Sequence, residues 1–168
     1  TVWVRYGLSQ AINCGGHRMG GSMTAPNPES VRRCILAALE DAGIRAQDVD
    51  AINGHLTATG ADPREIGSWA AALERDPGDL PPITATKSMI GHTLGAAGAI
   101  ESVASVLMLR GGYVHPSLNC EDVHPEIEAH ADSIPHEMRE LPEMDVLIKA
   151  GCGVGDVNAC LVFKRGAE

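Results

Sequence analysis

Apolar residues follow strand and helix periods in turn along the chain. Apolar and polar residues alternate over residues 1–8, which predicts a first strand. Short polar residues and glycines over residues 9–25 predict a loop. A helix should follow, because apolar positions at helical spacing lie between an N-cap, Asn27, with Pro28 in the first turn, and a terminating Gly43.

The rest of the chain continues this alternation. Residues 49–53 and 82–86 predict strands, and each strand is followed by a helix. The helix after the second strand covers residues 94–109 and is apolar on nearly every side, as expected of a central helix. In the first of these helices, Asp62 is the expected N-cap and Glu65 its capping-box partner. Further short strands are predicted at 113–119, near 133–134, at 145–150 and at 158–164. The order βαβαβαββ predicts an α/β fold, a layered sheet with helices packed against it.

Composition limits the class of protein. With 168 residues, 44% hydrophobic and 21% charged, the chain has the size and composition of one globular domain. A net charge of −9 and a pI near 5.2 argue against a nucleic-acid surface. Polar residues interrupt the longest apolar run, so no membrane span is expected. The sequence begins with Thr1 rather than Met, which suggests a cropped or processed chain.

Cysteine and histidine usage indicates neither disulfides nor a metal. The five cysteines are widely spaced with no CxxC pair, so reduced thiols and a cytoplasmic location are expected. The seven histidines form no recognised metal-binding pattern, and no metal is expected.

The first of three informative loops is "NGHLTATGAD", which follows the strand at 49–53. Open α/β sheets usually place their sites where strands end. The loop carries His55, Thr57 and Thr59. A histidine in this place is more often structural than catalytic, and threonines often form local turns. The loop therefore becomes informative only together with the other two.

The second loop, "TKSMIGHTLGAAGAIE", surrounds His92 with Lys87 and Glu101 in an otherwise apolar segment. An unpaired buried carboxylate costs several kcal/mol, so we expect Glu101 to be buried and paired with Lys87. That pair either only fixes the strand to the helix or also orients His92, and the two roles are compatible. Because both motifs end strands of one sheet, we expect His55 and His92 to converge.

The third loop, "KAGCGVGDVNACLVFK", has alternating glycines between two predicted strands. No helix follows that could bind a phosphate, so the spacing favours a tight hairpin or a loop lining a pocket. Cys152, Gly153 and Val154 lie at its centre.

Together the three loops resemble the β-ketoacyl-acyl-carrier-protein synthases, condensing enzymes with the thiolase fold, of the elongating type that uses two histidines. The first loop resembles their His-Gly-Thr-x-Thr motif. The second resembles Lys-x-x-x-Gly-His-x-x-Gly-Ala-x-Gly, and the third their C-terminal Phe-Gly-Phe-Gly-Gly-x-Asn loop. The resemblance makes residues 1–168 one C-terminal half-domain of a fold built from two similar βαβαβαββ halves.

The resemblance implies a fatty-acid-synthesis transferase that performs a decarboxylative Claisen condensation of malonyl-carrier protein with an acyl chain. His55 and His92 would stabilise the enolate, and the pair of Lys87 and Glu101 would maintain the electrostatic arrangement. The nucleophilic cysteine would come from the N-terminal half, because none of the five cysteines here lies in that motif.

The same resemblance implies the ligands and partners. Thr57 and Thr59 would contact the phosphopantetheine arm of the acyl carrier protein, with no permanently bound cofactor. Cys152, Gly153 and Val154 would line the acyl pocket. The expected partners are the acyl carrier protein and the N-terminal half, on the same or a separate chain, in a homodimer or heterodimer, with no nucleic acid and no membrane.

Four positions depart from the family pattern. Leu56 replaces a glycine, Cys152 and Val154 replace phenylalanines, and Asp156 replaces a glycine. Because the two phenylalanines form the family's aromatic gate, we expect either altered chain-length control or a looser acyl pocket. Two alternatives stay open. Cys152 in a glycine-rich stretch superficially resembles a degradative thiolase, and the altered third loop would suit a non-catalytic partner similar to a chain-length factor. Retention of both histidines and the lysine favours the synthase.

Overall fold

The computed structural model describes residues 2–10, 26–76 and 78–166. Within them the strands are β1 (Val2–Gln10), β2 (Ala51–Asn53), β3 (Ile83–Thr84), β4 (Tyr113–Val114), β5 (Arg139–Glu140), β6 (Val146–Gly153) and β7 (Val157–Arg165). The α-helices are α1 (Pro28–Ala42), α2 (Asp62–Leu73), α3 (Lys87–Ile90) and α4 (Ala97–Gly111). Short 3-10 helices cover Ala46–Asp48, Leu94–Ala96 and Pro125–Ser133.

One five-stranded sheet organises these elements. Its order is β1-β7-β6-β2-β3, with β2 parallel to β3 and β6, and antiparallel pairing along β6-β7-β1. The small β4-β5 ladder is inserted before the last two strands of the sheet. Without it, the main sheet and its helices follow the predicted βαβαβαββ order. The parallel strands β2, β3 and β6 end at the same edge of the sheet, and their following residues meet there.

Side-chain alternation separates the two faces of the sheet. Ile52 and Ile148 pack with α1 and α2 in the larger apolar cluster. Ala51 and Leu147, their neighbours along the strands, pack on the other face with Met108 of α4. Each strand therefore sends alternate side chains to different helices, as the two-residue period requires.

The first helix begins and ends as predicted. The Asn27 carboxamide oxygen accepts a hydrogen bond from Glu29 N–H, Pro28 occupies the first turn, and Gly43 ends the helix with φ of 65°. The left-handed conformation at this position favours glycine, which has no Cβ to clash. The capping signals in the sequence are therefore sufficient to locate α1.

The prediction for α4 was only half correct. Its buried stripe follows helical spacing: Ala97, Glu101, Ser105 and Met108. Its opposite side is exposed, with Ile100 at 39%, Val103 at 61% and Leu107 at 52%. Leu94–Gly111 is also, among the described residues, the one segment with the length and composition of a membrane span, at a mean hydropathy of 1.3.

Several other expectations needed correction. The first strand runs to Gln10, so the first two residues of the loop predicted at 9–25 belong to the strand. The rest of that loop and Thr1 lie outside the described residues. Only Tyr113–Val114 of the predicted strand at 113–119 pairs. The segment before Ile134 is a 3-10 helix rather than a strand, since Pro125 at its start and His124 as its N-cap favour a helical turn.

Candidate active site

Two carboxylates from α2 hold the loop that carries His55. Glu65 accepts the backbone N–H groups of His55 at 2.6 Å and Leu56 at 2.9 Å. It also accepts Trp69 Nε1–H at 3.2 Å. The expected capping box was therefore wrong: Glu65 turns toward the loop because the loop's buried amides need acceptors. Its own pKa is raised, mainly by burial.

Asp62 has a similar role one turn earlier. Its carboxylate accepts the N–H groups of Thr57 and Ala58, each at 3.0 Å. Ala61, rather than Asp62, is the N-cap residue, and it makes no side-chain capping bond. The Asp62 carboxylate is used by the turn instead, where Ala58 has a positive φ of 57°. Asp62 and Glu65 together fix the backbone of the whole loop relative to α2.

His92 lies before α4, and its ring meets that of His55. The ring centroids are 5.2 Å apart, with an angle of 83° between the planes. The expectation that these two histidines converge is confirmed. His92 Nδ1 accepts the Leu94 N–H at 3.1 Å. In the uncharged form of this ring, the proton is therefore on Nε2, where it is available to a ligand.

A buried cluster of charges lies beside the two rings. Lys87 Nζ donates to Glu101 Oε1 at 2.5 Å, and both residues are buried. This confirms the predicted ion pair, although Lys87 is the first residue of α3 rather than the end of a strand. On the other side of the carboxylate, Lys149 Nζ lies 2.8 Å from Oε2 and forms an ion pair whose angles are not those of a hydrogen bond. Glu101 is therefore shared by two lysines.

Asn53 ties this cluster to the sheet. Its amide nitrogen donates to Thr86 Oγ1 at 3.1 Å and to the Glu101 carbonyl oxygen at 3.2 Å. Thr86 Oγ1 in turn lies 3.0 Å from Nε2 of the buried His115. Because all of these groups are buried and bonded, the residue before Lys87 and the helix that carries Glu101 are held in one arrangement.

The environment of His55 keeps its ring neutral. Its pKa is lowered from 6.5 to about 4, first by burial and then by the positive charge of Lys87. The Glu101 carboxylate opposes this effect, while His92 and Lys149 add to it. At neutral pH, His55 is an uncharged imidazole that can donate one ring N–H.

Two cavities meet at His92. One, of about 810 Å³, has Thr57, Thr59, Lys87 and His92 among its lining residues. The other, of about 470 Å³, is lined in part by both histidines, Glu101, Lys149, Cys152 and Gly153. His92 therefore lines both cavities, whereas His55 lines the smaller one.

The third loop is the predicted hairpin between β6 and β7. Cys152 and Gly153 line the smaller cavity, whereas Val154 is 66% exposed at the hairpin tip and is absent from the described linings of both cavities. Asp156 adopts a left-handed conformation with φ of 62°, which aspartate tolerates better than most residues. Its carboxylate accepts the Asn27 N–H at 2.9 Å, so the turn is tied to the start of α1.

Three of the described thiols lack the features of a nucleophile. Burial raises the pKa of the Cys120, Cys152 and Cys160 thiols. A reactive cysteine instead has a lowered pKa, from a helix N-terminus or a neighbouring base. Among the residues that the structure covers, no cluster of histidine, cysteine and carboxylate groups is suited to a metal.

Comparison with known proteins identifies the family. Residues 8–121 match the family model described as "Beta-ketoacyl synthase, C-terminal domain". The chain belongs to the β-ketoacyl synthase family. It is 40% identical over 148 residues to 3-oxoacyl-[acyl-carrier-protein] synthase 2 of Rhizobium meliloti (strain 1021), an alignment that covers 85% of this chain and 34% of that relative. The chain thus spans about a third of the length of the curated relatives it matches.

Solved ketosynthases have the same fold. A β-ketoacyl synthase from Burkholderia phymatum STM815 superposes with a TM-score of 0.82 at 29% identity, over 97% of this chain and 37% of that one. A ketosynthase of type II polyketide synthesis, solved with its acyl-carrier protein, superposes with a TM-score of 0.80 at 28% identity. The match covers 96% of this chain and 38% of that one. The chain is therefore a C-terminal half-domain with the thiolase-like α/β fold.

Two residues that position groups in this synthase half were missed from sequence. Lys149 lies in a strand between apolar neighbours, and its charge in such a place was a signal that a buried anion is nearby. Glu65 matched a common helix-start pattern, which concealed its bonds to the loop of His55. In neither case could the partner be named without knowing which elements are neighbours.

Proposed function

We propose that this chain is the C-terminal half of a 3-oxoacyl-[acyl-carrier-protein] synthase and supplies the histidine and lysine part of its active site. The observation that carries the proposal is the pair of rings, His55 and His92, with centroids 5.2 Å apart beside a buried ion cluster. The reaction is the decarboxylative condensation of a malonyl thioester with an acyl chain.

The two histidines act on the malonyl thioester carbonyl. A neutral imidazole donates one ring N–H, and in His92 that proton is on Nε2 because Nδ1 accepts the Leu94 amide. With the thioester oxygen between the rings, both N–H groups stabilise the negative charge that develops there. The bond between the carboxylate carbon and the α-carbon breaks, carbon dioxide leaves, and the electron pair passes into the enolate.

The enolate carbon then attacks an acyl thioester. The acyl group is carried on a cysteine of the N-terminal half, whose thiolate leaves as the new carbon–carbon bond forms. The raised thiol pKa values of Cys120, Cys152 and Cys160 support this division of labour. They also weigh against the degradative-thiolase alternative, in which Cys152 would have to react.

The larger cavity is the proposed channel for the phosphopantetheine arm of the acyl carrier protein. Thr57 and Thr59 line it, with their hydroxyl oxygens 3.1 Å apart, and offer hydrogen-bonding groups to an amide-containing chain. His92, at the junction of the two cavities, would meet the thioester at the end of that arm. The likeness to a ketosynthase solved with its acyl-carrier protein supports this partner.

The exposed side of α4 is the proposed contact with the N-terminal half. Several large apolar side chains are exposed there and just before the helix: Met89, Ile90, Leu94, Ile100, Val103 and Leu107. Exposed apolar groups that form a continuous patch mark interaction surfaces. Because Glu101, in the same helix, pairs with two lysines buried in the fold, we assign this surface to a protein interface rather than to a membrane.

A homodimer or heterodimer of such units is the proposed assembly.

Reconstitution tests the proposal. The chain is combined with an N-terminal half that carries the nucleophile, on one polypeptide or two, and is given an acyl thioester and malonyl-carrier protein. We expect mass spectrometry to find the acyl group on the N-terminal cysteine and product to require both halves. The 168-residue chain alone should give neither adduct nor product.

Two outcomes would contradict it. A stable acyl adduct on Cys152 accompanied by product would move the chain toward an autonomous thiolase-like enzyme. Full condensation by a complex in which His55 and His92 are both alanine would make the chain a non-catalytic partner. Alanine at the exposed His136 is the matched control and should leave activity unchanged.

A further inference from the structure

Lys149 lies in the interior of the sheet and has no part in the reaction proposed above. It is on β6, paired in register with Asn53 of β2, and only 3% of its surface is exposed. Along β6 it lies two residues after Leu147, so it shares the face that packs against α4. Its ammonium group lies 2.8 Å from Glu101 Oε2.

The charges around Glu101 do not balance. Two ammonium groups, from Lys87 and Lys149, contact a single carboxylate. The Glu65 carboxylate, which holds the loop of His55, is already engaged by the N–H groups of His55, Leu56 and Trp69. A buried surplus charge is costly unless an anion compensates it.

This surplus lies beside the histidines. Lys149, His55 and His92 all line the same cavity of about 470 Å³. The groups that face His55 come from each element packed around it: Lys87 of α3, Glu101 of α4, Lys149 of β6, His92, and Glu65 of α2. Of these, the two lysines carry the positive charge.

We propose that Lys149 is a positioning residue of this site: by sharing Glu101 with Lys87, it leaves one uncompensated positive charge beside His55 and His92. The inference rests on the proposed function, because the anion that meets this charge is the enolate formed from the malonyl thioester. The same charge opposes protonation of His55, so that ring stays a neutral donor.

The test compares Lys149→Met, Lys149→Arg and Lys164→Met in the complex of this chain with the N-terminal half. Lys149→Met removes the charge but leaves Glu101 paired with Lys87, so no buried charge is orphaned; Lys149→Gln is a second neutral variant should the first not fold. Lys164 is the control, a lysine of β7 that lies 3.5 Å from Asp145 and is partly exposed. Two readouts are taken: the pKa of His55 from NMR titration, and carbon dioxide release from malonyl-carrier protein.

We expect the pKa of His55 to rise in Lys149→Met, as for loss of a nearby like charge, although by less than it would rise on loss of Lys87, which lowers that pKa more. Carbon dioxide release at pH 7 should fall about tenfold, which corresponds to one lost electrostatic contact in the transition state. Lys149→Arg should restore both values, and Lys164→Met should change neither.

The proposal is overturned if neutral variants leave the pKa of His55 unchanged, even when the rate falls, since that combination indicates a purely structural lysine. It is also overturned if Lys149→Arg behaves like Lys149→Met. If the unaltered complex releases no carbon dioxide, the proposed function fails, while the titration still decides whether Lys149 sets the ionisation of His55.

Discussion

The two faces of the central sheet differ in what they bury at the carboxyl ends of the strands. Toward α1 and α2, strands β2 and β6 are apolar, with Ile52, Ile148 and Ala150 among the contacts. Toward α4, the surface of the sheet changes from apolar to polar within two residues. Ala51 of β2 is paired with Leu147 of β6, and the next pair on that face is Asn53 with Lys149.

This difference gives the two faces different roles: one contributes to stability, and the other also sets the ionisation of the candidate active site. The apolar face buries side chains that need only shape and volume from their surroundings. The α4 face holds charges whose positions depend on one another, because each buried ion needs its partner. Substitutions on the first face should therefore change stability alone, and substitutions on the second should change stability and ionisation together.

The largest effect is expected at the shared carboxylate. Glu101→Ala leaves Lys87 and Lys149 buried without an anion, so the free energy of unfolding should fall by about 3–5 kcal/mol. Urea denaturation followed by the fluorescence of the buried Trp69 measures it. Glu143→Ala, at an exposed carboxylate, should cost less than about 0.5 kcal/mol. Equal costs for the two variants would contradict the ion cluster.

On the apolar face, Ile35→Ala should cost about 2–4 kcal/mol, because it opens a cavity under α1. Ile35→Val, the matched smaller change, should cost about 0.5–1.5 kcal/mol. In the folded variants, the pKa of His55 should stay where it is. A shift in that pKa would show that the two faces are coupled and would break the comparison.

A smaller effect is expected in the pH dependence of stability. The pKa of His55 is about 4 in the folded chain against 6.5 for the unperturbed side chain. Between these values the unfolded state binds more protons, so this contribution to stability is complete above about pH 6.5 and is lost as pH falls through about 4. From pH 7 to pH 4, His55→Gln should lose about 1–3 kcal/mol less than the unaltered chain.

The control for this titration is His136→Gln, at an exposed histidine, which should follow the unaltered chain at every pH. Urea midpoints measured at intervals between pH 4 and pH 7 give the comparison. Parallel curves for His55→Gln and the unaltered chain would mean that His55 is not held neutral by its surroundings.

The smallest change in stability is expected on the outer side of α4. Val103→Glu alters an exposed side chain, so the free energy of unfolding should change by less than about 0.5 kcal/mol. Binding to the N-terminal half, followed by size-exclusion chromatography, should nevertheless be lost. Met138→Glu, at another exposed apolar residue, should leave binding intact. Binding that survives Val103→Glu would remove this face from the interface.

Local signals in the sequence were enough for much of the fold. The caps at Asn27 and Gly43 located α1, and alternating glycines located the β6-β7 hairpin. The convergence of His55 and His92 and the pair of Lys87 with Glu101 were also predicted, because each follows from strand ends or from the cost of a buried charge.

Features that depend on distant neighbours were missed. The role of Glu65 requires knowing that the loop of His55 lies over α2, and that of Lys149 requires knowing that β6 lies beside β2. The exposed side of α4 was misjudged because apolar composition does not distinguish a core helix from one that awaits a partner.

The central claim is that His55 and His92 stabilise the enolate of a malonyl thioester, and carbon dioxide release tests it most directly. In the complex with the N-terminal half, His55→Ala and His92→Ala should each lower the rate of release from malonyl-carrier protein by about 10²–10³-fold, the usual loss for one donor to a developing oxyanion. Release at the unaltered rate in either variant would contradict the account.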